Sequence, residues 1–310
     1  MTLLTAHASE IRSLHAVLKS IGFSKCVQTA ILHIREAGLQ LSVEVGLEMV
    51  ANAYIPSSYF DEYTYNSDEE SISMEISISS LIETMNIYGT ATFTSDLHSS
   101  EQGGLIGTTQ LKLSYEGYGY PLVLDIPRRI SPPLDQQDGS IWAPMTTVEL
   151  KTYDRDDRDI LPFDHENLQM KVIMHSGWLL DALSALDPHV QVLTLTSPAD
   201  ASRNAAALRL SAISETASLE FDFPETEMAA TREDGPIDSI SRWIDGIVSE
   251  KYKASHLMHA LKAIQASHKT SLRINDDGVL SLQAMVLDAH KKQAFVDFVC
   301  RPVEADEDDF

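Results

Sequence analysis

One repeated order of elements constrains this chain more than any other feature. Residues Ile247 to Pro302 read as one strand, one helix and three strands. Ile247–Lys253 is the first strand. Ser255 is placed to N-cap a helix running to about Ser267, because a serine hydroxyl can accept a hydrogen bond from an orphan backbone N–H. Leu257, Leu261 and Ile264 recur at helical spacing and make one apolar stripe. Three extended runs follow, Thr270–Ile274, Val279–Leu287 and Ala294–Cys300, the first two joined by the tight-turn signal Asp277-Gly278.

The same β-α-β-β-β order is legible three more times. The first unit starts at Ile11, with Ile11, Leu14, Leu18 and Ile21 on one helix face, Ser9 as cap and Gly22 as stop; strands are predicted at Cys26–Ile34, Leu39–Val45 and Val50–Ile55. In the second, Ile72, Met74, Ile76 and Ile78 alternate with polar residues, which makes a strand. Ser79 or Ser80 then caps a helix carrying Leu81, Met85 and Tyr88. Its strands are Gln110–Tyr115, Tyr120–Ile126 and Thr146–Tyr153, between polar loops at Thr90–Gly107 and Pro127–Gly139. The third has a strand at Gln169–Met174, a helix capped by Ser176 with Leu179, Leu183 and Leu186, and strands at Val190–Thr196, Ala207–Ile213 and Ser218–Phe223; Glu225–Ile240 reads as loop. Short, isolated helices among strands, each with one apolar stripe, predict an α+β architecture with helices laid on antiparallel sheet, two units per domain.

The charge run Asp154–Asp159 has no period and stands between the two halves, so it reads as a linker. The expected organisation is an N-terminal domain over 1–153, a connector over 154–166, a C-terminal domain over 167–303 and an acidic tail over 304–310. The chain has 310 residues, 44% of them hydrophobic, enough for two domains with a real core. Met1–Leu14 lacks the basic start and unbroken apolar run of a signal peptide, and no stretch approaches a membrane span. Two distant cysteines, Cys26 and Cys300, make no disulfide framework and fit a reducing compartment. The net charge of −23 argues against gripping nucleic acid over the whole surface, but not against a locally positive lining.

Four segments carry a resemblance: Val50–Ile55 (VANAYI), Tyr115–Leu122 (YEGYGYPL), Gly278–Gln283 (GVLSLQ) and Phe295–Pro302 (FVDFVCRP) before an acidic end. With them the chain resembles, over nearly its whole length and in the same order, the DNA sliding-clamp superfamily with the PCNA fold. Within that superfamily it is similar to the Rad-one subunits of the DNA-damage checkpoint clamp, the nine-one-one heterotrimer. The resemblance implies four helices lining a central hole, sheets forming an outer wall, and one third of a ring around duplex DNA in the nucleus. It also implies two paralogous clamp subunits, an ATP-dependent clamp loader, and repair and signalling proteins as partners, with no membrane and no cofactor.

At about 100° per residue, the helix faces opposite the apolar stripes hold Arg12, Ala16 and Lys19; Glu83 and Asn86; Leu180, Asp181 and Ser184; and Ser255, His259, Lys262 and, at the helix end, Lys269. The expected DNA-facing set is therefore Arg12, Lys19, His259, Lys262 and Lys269, mildly positive inside an acidic chain. Weak, diffuse pairing with phosphates is what sliding requires. The resemblance puts ring-closing edge strands at Thr146–Tyr153 (Thr147, Glu149, Lys151) and Glu215–Phe223 (Leu219, Phe221). It puts a partner-peptide groove at Ile160, Leu161, Pro162, Val299, Arg301 and Pro302. Unpaired edges are open to another chain, and head-to-tail pairing of different edges closes rings.

Enzymatic alternatives have weaker support in the residues. His256 and His259 form HxxH with no third ligand nearby and no HExxH, which predicts no metal site. The Asp154–Asp159 carboxylates alternate with Arg155 and Arg158, a solvated linker rather than a rigid metal cluster. A 3′→5′ exonuclease, an activity ascribed to members of the family, is the alternative reading, and a scaffold without DNA contact is another.

Overall fold

The computed structural model describes residues 2–9, 11–23, 27–87, 110–126, 129–130, 141–142, 146–154, 160–198, 206–214, 217–225, 235–287 and 291–303. The chain divides into two compact units. Unit 1 comprises residues 1–43, 53–157 and 287–294; unit 2 comprises 44–52, 158–286 and 295–310.

Unit 1 opens with β1 (Leu4–Ala8) and α1 (Ile11–Ile21), followed by β2 (Thr29–Arg35), β3 (Gly38–Val45) and β4 (Met49–Pro56), the last two shared with unit 2 at residues 44–52. Then come β5 (Glu62–Tyr65), β6 (Ile72–Ser77), α2 (Ile78–Met85), β7 (Leu111–Tyr115) and β8 (Leu122–Ile126). The unit continues with β9 (Arg129–Ile130), β10 (Ile141–Trp142), β11 (Thr146–Leu150) and β12 (Thr152–Tyr153). One sheet has the order β11-β8-β7-β1-β5; in another, β12, β6, β2, β3 and β4 are successive neighbours. Leu4, Leu14, Leu18, Leu32, Leu41, Ile76, Leu81 and Leu113 enclose one apolar space, so strands of both sheets and both helices share a core.

Unit 2 holds β13 (Leu168–His175), α3 (Ser176–Ser184), β14 (Val192–Ser197), β15 (Leu208–Ile213), β16 (Ser218–Phe223) and β17 (Ile237–Arg242). It continues with β18 (Val248–Lys253), α4 (Ala254–His259), α5 (Leu261–Gln265), β19 (Ser267–Asn275), β20 (Leu280–Leu287) and β21 (Gln293–Cys300). Strands β21, β20, β19, β13 and β17 lie side by side, and a second sheet has the order β16-β15-β14-β18. Gly278 makes the β19–β20 turn with φ 72°, and its amide donates to the Asn275 carbonyl over 3.1 Å.

Several expectations are corrected. Among the described residues five strands were not foreseen: β1 precedes the expected start at Ile11, β5 follows β4, β9 and β10 lie between β8 and β11, and β17 begins inside the expected loop Glu225–Ile240. Strand β1 is placed by pairing with β5 and β7, and β17 by pairing with β13, contacts distant in sequence. The Pro127–Gly139 loop contains β9, which pairs with β10. The fourth helix is two short pieces, because the Ala260 amide turns back to the Leu257 carbonyl at 3.0 Å instead of continuing the α pattern. The Ser caps also move. Ser77, not Ser79 or Ser80, caps α2 by accepting from the Ser80 amide. Lys253 and His175 occupy the N-cap positions of α4 and α3, and neither side chain caps its helix. The Thr90–Gly107 loop, Tyr88, Cys26 and most of Asp154–Asp159 lie outside the described residues.

Candidate nucleic-acid interface

In unit 1, α1 and α2 pack against each other. Helix α1 buries Ile11, Leu14, His15, Val17, Leu18, Ser20 and Ile21, and this leaves Arg12, Ala16 and Lys19 exposed. Helix α2 buries Ile78, Leu81, Thr84 and Met85 and exposes Glu83; Asn86, just beyond its end, is also exposed. Arg12 and Lys19 against Glu83 leave this helix surface with a small positive excess.

In unit 2, α3 packs on α5, which also meets α4. Ser176 does not cap α3. It is 1% exposed, and its hydroxyl lies 2.7 Å from Ser267 Oγ and 2.9 Å from Thr270 Oγ1, so it ties the start of α3 to β19. Asp181 and Ser184 are exposed on α3, Leu180 is half-buried and Trp178 is 49% exposed. Ser255 on α4 and Lys262 on α5 are exposed, whereas His259 is only partly so.

Two of the five expected DNA-facing residues bring no free positive charge to a helix face. Lys269 stands on β19, not at a helix end, and its ammonium is paired with Asp238, whose other oxygen lies 3.0 Å from His175 Nε2. The sequence could not show this, because Asp238 comes from β17, in the segment read as loop. Burial lowers the pKa of His259, with His256 and Lys262 adding to the effect, so the imidazole is neutral at neutral pH and offers hydrogen bonds rather than charge. Lys262 and Asp181 leave the helix surface of unit 2 balanced. The helix surfaces are thus close to neutral, against −23 for the whole chain.

At the expected edges, β11 and β16 each stand at the end of a sheet order. Thr147, Glu149 and Lys151 are exposed, and the Thr147 hydroxyl donates to Asp125 over 2.6 Å. On β16, Arg209 from β15 holds Asp222 through bonds of 2.6 and 2.9 Å and lies 3.2 Å from Glu220, while Leu219 and Phe221 are half-buried. Of the expected groove residues, Ile160, Leu161 and Pro302 are half-buried, and Pro162 and Arg301 are exposed. Val299 is 3% exposed and belongs to the core instead of lining a surface. The segment after β21 is fixed by its backbone: the Arg301 amide donates to the Glu48 carbonyl at 2.8 Å, and the Val303 amide to Lys251 at 2.7 Å.

Sequence reading missed a polar knot beside this groove. Asp297 on β21, 3% exposed, accepts from the Ser281 hydroxyl at 2.6 Å, and Ser281 accepts in turn from Arg273 at 2.9 Å. Arg273 lies over the Phe163 ring at 5.6 Å and 3.4 Å from His165 Nδ1. Burial raises the Asp297 pKa against the opposing effects of Ser281 and Arg273. The alternation of Arg273, Ser281 and Asp297 on neighbouring strands was visible; that they face one another was not. Among the described residues no three His, Cys, Asp or Glu side chains are grouped to hold a metal. His256 Nε2 lies 3.7 Å from Glu48, which is itself held by Lys253 at 2.6 and 2.7 Å.

Short helix pairs, antiparallel sheets and a two-unit chain define a protein of the PCNA-like clamp class. The family model described as "Repair protein Rad1/Rec1/Rad17" matches residues 3–286, and the chain belongs to that family. The human cell cycle checkpoint protein RAD1 is 28% identical over 301 residues, which cover 97% of this chain and 92% of the human protein. The DNA damage checkpoint control protein rad1 of Schizosaccharomyces pombe is 26% identical over 301 residues, covering 95% and 84%. The DNA repair exonuclease REC1 of Mycosarcoma maydis is 28% identical over 199 residues, covering 57% and 40%.

Proposed function

We propose that the chain is a non-catalytic subunit of a heterotrimeric ring that encircles duplex DNA at damage sites and serves as a platform for checkpoint signalling and repair. The observation that carries this reading is the sparse cationic set Arg12, Lys19 and Lys262, exposed on helix faces of a strongly acidic chain of the Rad1/Rec1/Rad17 family. An acidic exterior repels DNA and leaves the helix surface as its favourable place. The ring partners are two paralogous clamp subunits, one meeting Thr147 and Glu149 on the end strand β11 and Lys151 just beyond it, the other meeting Leu219 and Phe221 on the end strand β16. An ATP-dependent loader places the ring on DNA in the nucleus. Partner peptides dock beside Ile160, Leu161, Pro162, Arg301 and Pro302. Residues 1–153 and 167–303 act as the two clamp domains, 154–166 as connector and 304–310 as acidic tail. Substituting both Leu219 and Phe221 by Asp tests the edge assignment: the subunit should stay folded and lose one of its two ring neighbours, whereas retention of both removes β16 from the interface.

A second reading, a 3′→5′ exonuclease, is favoured by the printed name of the Mycosarcoma maydis relative. It requires metal-dependent digestion of 3′ ends by the purified chain, abolished by a single Asp or Glu substitution. Absence of any such mutant-sensitive digestion removes it.

A further inference from the structure

The polar knot across β19, β20 and β21 has no task in the proposed function, yet it reaches the connector. Arg273 on β19 stands opposite Ser281 on β20 in the strand register, and the Ser281 hydroxyl donates to Asp297 on β21. The row is closed at one end and aromatic at the other. The Arg273 side chain is only 14% exposed, and one nitrogen lies 4.0 Å from the buried Asp297 carboxyl. Its guanidinium carbon lies 5.6 Å from the centre of the Phe163 ring, within cation–π range.

Little else fixes the connector at that point. Its later half is pinned by its own turn: Asp164 Oδ1 accepts from the Glu166 and Asn167 amides at 2.8 and 3.3 Å, and the Asn167 carbonyl accepts from the Asp276 amide at 3.1 Å. Among the described residues, the backbone of 160–163 makes no hydrogen bond. Phe163 and His165 meet edge to face at 4.9 Å between ring centres, and Arg273 meets both, through the Phe163 ring and, at 3.4 Å, through His165 Nδ1.

A segment tied at one end and resting on a single cation at the other has its course set by that cation. The guanidinium is suited to the task, because it is planar, always charged and stacks on an aromatic ring while its edge bonds elsewhere. Ser281 and Asp297 hold it from the sheet side, but its Nε is buried without a hydrogen-bond partner, so the sheet alone does not satisfy it. We propose that Arg273 is the positioning residue of the connector: through Phe163 and His165 it fixes where Ile160, Leu161 and Pro162 stand, and so shapes the groove that takes an apolar segment of a partner. The groove half of this rests on the docking proposed above; the connector half does not.

Chymotrypsin cleavage of the folded full chain after Phe163, in the sequence Leu161-Pro162-Phe163-Asp164, reads the hold directly, because cleavage follows the population in which the segment stands free of the sheet. Arg273→Gln should raise that rate by about fivefold to thirtyfold, the loss of one cation–π contact partly shielded from water, with Arg273→Lys between it and wild type. Cleavage after Tyr252 and Phe298, both buried in the core, should not change. The groove is read with phage-displayed random dodecapeptides selected against the full chain and kept only if Leu161→Asp abolishes their binding. Arg273→Gln should weaken them by about fivefold or more, since a loosened connector must be ordered at each binding event. An unchanged rate after Phe163, an equal rise at all three sites, or peptide affinity unmoved by Arg273→Gln would overturn the proposal. If no selected peptide depends on Leu161, the docking beside the connector falls and takes the groove half with it, whereas the rate after Phe163 still decides what Arg273 does.

Discussion

Neutralising Lys19 and Lys262 together reads out the helix surfaces directly. Each phosphate contact adds about 0.9 to the slope of log affinity against log salt on duplex DNA. Lys19→Gln/Lys262→Gln should therefore reduce the slope for the assembled, loaded ring by about 1.8. Between 50 and 200 mM salt, a fourfold change, the ratio of wild-type to variant affinity should shrink by about twelvefold. The assay is equilibrium binding of the ring to a linear duplex with open ends, which it can enter and leave, over a salt series. Lys269→Gln supplies the internal contrast. With its ammonium held by Asp238, it should leave the slope nearly unchanged, whereas a lysine at a helix end facing DNA would lower it by about 0.9. An unchanged slope in the double variant, or a drop for Lys269→Gln equal to that for Lys262→Gln, would refute the placement of charge.

Other expectations follow from the packing. Ser176→Ala should cost about 1–3 kcal/mol in urea unfolding, and Ser176→Asp on the order of 4, because a carboxylate would be buried against Ser267 and Thr270; a tolerated Asp would mean that position 176 is a helix cap after all. Gly38→Ala should cost more than about 3 kcal/mol, since φ is 139° and the new Cβ would lie 2.2 Å from the Ile55 carbonyl, whereas Gly46→Ala, with φ 61° and open space, should cost about 1–2. Equal Tm losses would contradict this. Asp297 has a raised folded pKa, so its contribution is full below the unfolded carboxylate range and is lost as pH rises through the folded value. The stability of Asp297→Asn relative to wild type should therefore improve as pH rises above the ordinary carboxylate range; a gap moving the other way would mean that Arg273 outweighs burial.

Strand alternation was the most legible level of this fold. Ile72, Met74 and Ile76 are buried in β6, as their alternation required. The α1 stripe was equally clear, since one helix face carries Ile11, Leu14, Leu18 and Ile21. Strands held by distant partners were not legible. β1 alternates Leu4, Ala6 and Ala8, none of them β-branched or aromatic, and β17 is mostly polar at the end of its sheet. Serine near a helix start was ambiguous because its hydroxyl can bond an orphan amide or a tertiary partner, and Ser176 takes the second course. The helix-face charges were readable from periodicity; the removal of Lys269 from that set was not, because its partner and its strand are both tertiary facts.

The account rests on this chain being one third of a ring. Native mass spectrometry of the endogenous complex measures that directly. Three different chains of similar size, one copy of each, is the predicted composition; a homotrimer, or this chain alone at its own mass of 34.3 kDa, would contradict it.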